Sequence, residues 1–273
     1  MKILRMIKES RIERTFPSIM MILFSLAIIG RFDKDIIFLT LSMVLIYSSA
    51  GIHNSIKDKN LMISDRYRYI YIIPIMIALI ISIQNIILII ASLLWIILGL
   101  SYNTISRKIL LADSIILSIT HYAIPTIFSL LLLGESIQGS LRFGTIFFLT
   151  FMFVTPVKNL KETDEDKKLD YRTLPTIFKN GKELTIISSL FFMIISIIIQ
   201  ASFNVNIILI IISFILYISG IKLIIDSYEK KSLKIFRLLF IFFIFSLITT
   251  TENNTIIILS SIFPIFFSIR ALR

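Results

Sequence analysis

Apolar residues run along this chain in long blocks, separated by short polar stretches. The blocks fall at about 17–30, 36–52, 69–83, 85–101, 110–134, 143–157, 184–202, 205–222, 235–250 and 254–269. A perpendicular membrane span takes ~20 residues. Several blocks are shorter, so flanking polar positions are expected to complete those helices. The pattern predicts an all-α fold: a polytopic transmembrane helical bundle of about nine or ten helices. Only Thr251–Asn254 joins blocks nine and ten, which leaves a hairpin, a re-entrant pair or one broken span open. Residues 1–273 read as a single integral-membrane domain. Residues 1–15 carry Lys2, Arg5, Lys8, Arg11 and Arg14, without a small-residue cleavage site before a polar domain. They read as a basic interfacial arm leading into the first span, not as a removable signal.

Composition agrees with a membrane protein. Of 273 residues, 56% are hydrophobic and 16% charged, against about 45–50% and ~25% in ordinary globular domains. Mean hydropathy is +0.92. With no Cys, disulfides, thiolate nucleophiles and Cys-ligated zinc are excluded, and two histidines are too few for a His-rich metal site. The net charge of +11 is explained by where the basic residues sit, and no nucleic-acid partner is expected. Numbering connections from the N-terminus, 25 of the 28 Lys and Arg fall on one set of alternate connections; only Arg31, Lys34 and Arg142 fall on the other. The positive-inside rule makes that side cytoplasmic, so the N-terminus and both large polar loops are expected there in a multi-pass cell-membrane protein. Those loops follow blocks two and six and are separated by four spans, the spacing of a four-helix unit used twice.

The chemistry concentrates in those two loops. The stretch from Pro156 to Pro175 has the highest charge density in the chain. Within it Asn159, Glu162 and Asp166 are spaced by three and four, which puts them on one helical face. After block two, Asn54 and Asp58 are four apart, again one face. Hard divalent cations take oxygen ligands, typically one or two carboxylates plus phosphate oxygens. Two such faces at one membrane surface could grip Mg²⁺ on a diphosphate, with nearby Lys and Arg neutralising the rest. The plain alternatives are a solvated loop for the charge run and helix capping for Asn54 and Asp58. Asp164 and Glu165 fall on the opposite face and read as solvated. Asp113, near the start of block five, reads as a helix cap. His53 adjoins the first loop and is a candidate substrate contact. His121 lies inside a span, as a helix–helix hydrogen bond or a substrate contact. Tyr102 reads as an interfacial anchor.

Lys158-Asn159-Leu160-Lys161-Glu162-Thr163-Asp164-Glu165-Asp166, followed by Arg172-Thr173-Leu174-Pro175, resembles the signature of the UbiA superfamily of intramembrane prenyltransferases. That signature is K-D-x-x-D-x-x-x-D and then Arg-Thr-Leu-Pro. Asn54 and Asp58 resemble the family's N-D-x-x-D-x-x-x-D, and Tyr102 and Lys108 match its Tyr and basic residue after the fourth helix. Ser55, Met62 and Asn159 stand where the family has acids, and Glu162 replaces an Asp. The resemblance implies Mg²⁺-dependent transfer of a polyprenyl group from its diphosphate to a lipophilic or aromatic acceptor within the membrane. It implies Asn54, Asp58, Glu162 and Asp166 as metal ligands, with Asp58 and Asp166 central to catalysis. It implies Lys108, Lys158, Arg172, Asn159 and Tyr102 at the diphosphate. The lost acids keep a second reading open: a non-catalytic relative that binds an isoprenoid lipid or partners another membrane protein. The 23 phenylalanines fit a tunnel for an isoprenoid tail and fit lipid-facing helices equally well.

Overall fold

Local punctuation cuts the apolar blocks into helices. Left-handed residues, at Gly30 (φ 68°), Gly134 (φ 88°), Asn204 (φ 53°) and Ser227 (φ 61°), lie in four of the turns. Asn85, Ser136 and Asn206 open the next helices, their side chains accepting from the amides of Ile87, Gly139 and Ile208. Such caps satisfy amides that a helix start leaves without partners.

The computed structural model describes residues 12–57, 69–102, 108–161, 163–168 and 170–272. After a 3₁₀ turn at Ile12–Thr15, the chain forms α1 (Phe16–Ile29), α2 (Lys34–Lys57), α3 (Ile72–Ser82) and α4 (Ile86–Ser101). The rod α5 spans Ala112–Leu132 and contains a π-helical turn at Ile119–Ala123. Then come α6 (Ile137–Met152), α7 (Thr155–Lys161), α8 (Thr163–Lys168) and α9 (Leu174–Ile177). The last four helices are α10 (Gly181–Ser202), α11 (Ile207–Ile225), α12 (Glu229–Ile248) and α13 (Asn254–Leu272). All ten apolar blocks are helical. Blocks nine and ten are separate helices, α12 and α13, packed against each other. Block six starts earlier than its apolar core, because Ser136 caps α6 and brings Arg142 inside the helix. Most of the basic arm, residues 1–11, lies outside the described residues.

Among the described residues, five helical stretches are long and apolar enough to cross a membrane: Lys34–Ile56, Ala112–Leu132, Ile137–Lys161, Gly181–Ser202 and Ile207–Ile225. At 1.5 Å per residue the 22-residue α10 is about 33 Å long, enough for a hydrocarbon core of about 30 Å. Large apolar side chains also cover the outer surface, Ile80, Ile97, Ile198 and Ile207 each being exposed by more than half. An exterior of this kind suits lipid and not water.

The interior reverses the usual pattern. Small hydroxyl residues are buried where helices cross, and they bond between helices. Ser82 of α3 lies 3.2 Å from Ser42 of α2 and 2.8 Å from Ser92 of α4, oxygen to oxygen. Ser129 of α5 donates to Ser25 of α1 at 2.6 Å. Gln200 of α10 donates to both Ser213 of α11 and Ser246 of α12. Small residues let membrane helices approach closely while their hydroxyls find partners. The bundle centre is aromatic. Phe151 is fully buried, stacks on Tyr122 at 4.0 Å, and meets Phe240 edge-on at 4.6 Å and Phe192 at 5.5 Å. Several of the phenylalanines thus fill the centre of the bundle.

Candidate active site at the motif end of the bundle

At one end of the bundle, α2 carries Asn54 in its last turn, Tyr102 caps the end of α4, and α5 holds Asp113 in its first turn. The short helix α7 crosses this end and carries Lys158 and Asn159. Asn159 points inward: its side-chain amide donates to Asp113 Oδ2 at 2.6 Å, and both residues are only 2% exposed. Ser114 lies 3.5 Å from the other Asp113 oxygen. Asp113 is therefore not a helix cap. Leu111, at φ 63°, takes the cap position, and Asp113 sits in the first turn facing α7.

Lys158, next in chain, donates from Nζ to the Tyr102 hydroxyl at 2.8 Å and lies 5.4 Å from the ring centre. Tyr102 is thus more than an interfacial anchor; it holds the ammonium at the mouth of a cavity. Tyr102 and Asn54 both line that cavity, of about 90 Å³, which runs inward between α2, α4 and α5 to Tyr47 and His121. Asn54 Oδ1 is buried there and makes no hydrogen bond.

Asp166 on α8 is 2% exposed. Its carboxylate lies 3.5 Å from the Thr173 hydroxyl, and its backbone carbonyl accepts from Tyr171 at 2.9 Å. The Arg-Thr-Leu-Pro element thus has a structural job. Thr173 and Thr176 form a reciprocal capping box around α9, and that box keeps the Thr173 hydroxyl beside Asp166. Gly181 lets α9 lie on α10: a Cβ there would meet Pro175 Cα at 2.5 Å. Arg172 and Lys108 are exposed.

Of the residues singled out by sequence, Asn54 and Tyr102 line the cavity, Lys158 reaches it through the Tyr102 hydroxyl, and Asn159 is turned to Asp113. Asp166 is held by α8 and the capping box. Asp58 and Glu162 lie outside the described residues. The sequence reading missed Asp113 as a partner of Asn159; its signal was a lone acid in an apolar block coupled to an amide where the motif has an acid. Ser55 is fully buried, so an ionised carboxylate there would leave water, at a cost that needs pairing. For Mg²⁺, the donors are of the right kind: a buried amide oxygen without a hydrogen bond at Asn54 and a buried carboxylate at Asp166. Among the described residues there is no group of three or more acids or histidines able to hold a metal.

No family model and no curated protein matches the sequence. Solved structures do. The apo structure of a UbiA homolog from Aeropyrum pernix K1 superposes with a TM-score of 0.68 at 14% identity, covering 88% of this chain and 98% of that one. A structure from a study of digeranylgeranylglyceryl phosphate synthase in membranes gives 0.61 at 17% identity, covering 91% and 100%. This multi-pass membrane chain has the UbiA fold to which Lys158–Asp166 and Arg172–Pro175 pointed.

Proposed function

We propose that the chain is an integral-membrane prenyltransferase that moves a polyprenyl group from its diphosphate to a lipophilic acceptor. The observation that carries this reading is the Lys158–Tyr102 pair at the mouth of a cavity also lined by Asn54. It sets a cation at the entrance of a neutral pocket, where an anionic leaving group and an apolar chain part company. Asn54, Asp58, Glu162 and Asp166 would hold Mg²⁺. When bound, the ion neutralises charge developing on the departing diphosphate.

The chain's own groups supply the rest. Lys158, Arg172 and Lys108 offer positive charge to the diphosphate oxygens, and Tyr102 fixes the direction of Lys158. Asn159 steers nothing toward substrate while it bonds Asp113; it anchors α7 under Lys158. In the transfer, the bond from the allylic carbon to the diphosphate oxygen breaks, and its electron pair leaves with the diphosphate. The acceptor's electron pair forms the new bond, and the acceptor loses a proton. The distribution of basic residues supports a cytoplasmic position for this end of the bundle, with membrane lipid around the remainder.

Incubation with radiolabelled farnesyl or geranylgeranyl diphosphate and a membrane extract tests the reading. Label should pass into prenylated product with Mg²⁺ and not with EDTA. A folded protein that transfers nothing from either donor would favour the non-catalytic, lipid-binding relative, with Ser55, Met62 and Asn159 as the reason.

A further inference from the structure

Away from the cavity, a basic corner forms where the start of α10 meets the turn between α11 and α12. Lys179, Lys182, Lys222, Lys230, Lys231 and Lys234 belong to these segments, against three acids, Glu183, Asp226 and Glu229. Among the described residues none of the six lysines is in an ion pair. Two of them are held by neutral groups instead. The Lys182 ammonium donates to the Ile225 carbonyl at 3.0 Å and to Ser227 Oγ at 2.8 Å. Lys231 Nζ lies 4.8 Å from the centre of the Tyr228 ring. The C-terminal end of α11 would by itself repel an anion; Lys182 sits on it and reverses the sign there. The adjoining surface is apolar. Ile208, Ile211, Ile215, Ile218 and Ile225 of α11 are exposed. With Lys222, also exposed, they are spaced by three and four and form one stripe along the helix. From Ile208 to Lys222 that stripe is about 21 Å long.

We infer that this corner binds the head group of an anionic phospholipid, with an acyl chain of that lipid lying along the α11 stripe. The class follows from cations without described counter-charges set directly beside a lipid-facing surface. Clustered Lys next to a membrane helix attract anionic lipid, and Lys222 reaches the head-group level from the end of its span. A zwitterionic head group brings its own ammonium among these lysines and loses the net attraction. A soluble phosphate meets the cations but leaves the stripe unused. A partner helix on the stripe would bury Lys222 with no described acid beside it. The positive-inside excess accounts for the number of basic residues on this side. It does not account for Lys182 and Lys231 being fixed by a carbonyl, a hydroxyl and a ring around one turn. Tyr228, more than half exposed, places an amphipathic ring at the same level, as at other membrane interfaces. The site shares no residue with the cavity mouth and is independent of the prenyl-transfer reading.

Binding is measured on the full chain without prenyl donor or Mg²⁺. Delipidated protein in detergent receives equal amounts of phosphatidylglycerol and phosphatidylcholine with identical chains, and native mass spectrometry counts the lipid retained. Wild type should keep phosphatidylglycerol over phosphatidylcholine by about tenfold or more. Lys182→Gln/Lys222→Gln/Lys231→Gln should bring the two lipids near parity. Arg31→Gln/Lys34→Gln/Arg142→Gln removes as many cations from the alternate connections and should leave the preference unchanged. Lys222→Gln and Lys231→Gln, made singly, keep the Lys182 bonds and should each lower the preference about threefold to fivefold. They decide the location even if the triple variant folds poorly. Equal retention of both lipids by wild type overturns the site. So does a preference that survives the lysine substitutions, or one that the Arg31, Lys34 and Arg142 variant lowers as much. A mass of two chains without retained lipid hands the stripe to a second copy and overturns it as well.

Discussion

The Asn159 amide donates to the Asp113 carboxylate at 2.6 Å inside the bundle end. Asp113 thus places a carboxyl oxygen next to the position where the resembling motif has an acid and this chain has an amide. Two carboxylates at that separation could not both stay ionised, so the amide at 159 and the acid at 113 belong together. Asn159→Asp should therefore lower thermal stability in the absence of metal, by about 1–3 kcal/mol. Adding Asp113→Asn should recover most of the loss by reversing the bond. Thermal unfolding of the three variants in detergent checks this; an Asn159→Asp protein as stable as wild type would contradict it.

Lys158 and Tyr102 should separate by their effect on a non-hydrolysable farnesyl diphosphate analogue. Tyr102→Phe removes the acceptor that directs Lys158 and is expected to weaken binding by about fivefold, less than the full worth of a hydrogen bond to a charged group because the ammonium itself remains. Lys158→Met removes the charge and is expected to cost about tenfold to a hundredfold. Titration calorimetry reads both. Equal and negligible effects would remove the pair from the diphosphate site.

Two glycines with the same nominal crowding should respond in opposite ways. At Gly181 an added Cβ meets Pro175 Cα, part of the backbone, at 2.5 Å. Gly181→Ala must push α9 off α10 and disturb Thr173 beside Asp166, with an expected loss of about 1–3 kcal/mol and of activity. At Gly139 the Cβ meets the end of the Glu135 side chain, also at 2.5 Å, and that side chain can swing aside. Gly139→Ala should be neutral or stabilising by up to about 1 kcal/mol, the helix preference for Ala. Melting temperatures of the two variants make the comparison.

Gln200 ties three helices together through Ser213 and Ser246. Gln200→Leu keeps approximate volume and removes both bonds. Hydrogen bonds between membrane helices are worth about 0.6 kcal/mol each on average, so the expected loss is about 1 kcal/mol, read by thermal unfolding, with diphosphate binding unchanged because Gln200 stands near the end of α10 opposite to Gly181, which packs on α9 at the motif end.

The number and order of helices were legible because apolar blocks long enough for lipid leave few other readings, and caps such as Asn85 and Gly30 stand at their ends. Helix starts were less legible: α6 begins at Ile137 because of the Ser136 cap, well before its most apolar stretch. Lys158, Asn159 and Tyr102 were singled out through the family resemblance. Asp113 was read as a cap because an acid near a helix start usually is one; only the fold brings α5 against α7. The π turn at Ile119–Ala123 was not foreseen, since it depends on the Thr120 carbonyl being taken by the Trp95 indole while Pro125 has no amide hydrogen to offer it. Phenylalanine abundance left two readings open, and packing around Phe151 adds a third use, filling the centre.

The most direct test of the prenyl-transfer reading is release of inorganic diphosphate from geranylgeranyl and farnesyl diphosphates by the purified protein in lipid, with a membrane extract as acceptor source. Wild type with Mg²⁺, wild type with EDTA, and Asp166→Ala with Mg²⁺ run side by side. The reading predicts release only in the first, with the variant folded and at least about a hundredfold slower. Release that is indifferent to EDTA and to Asp166, or no release from either donor by well-folded wild type, would contradict it.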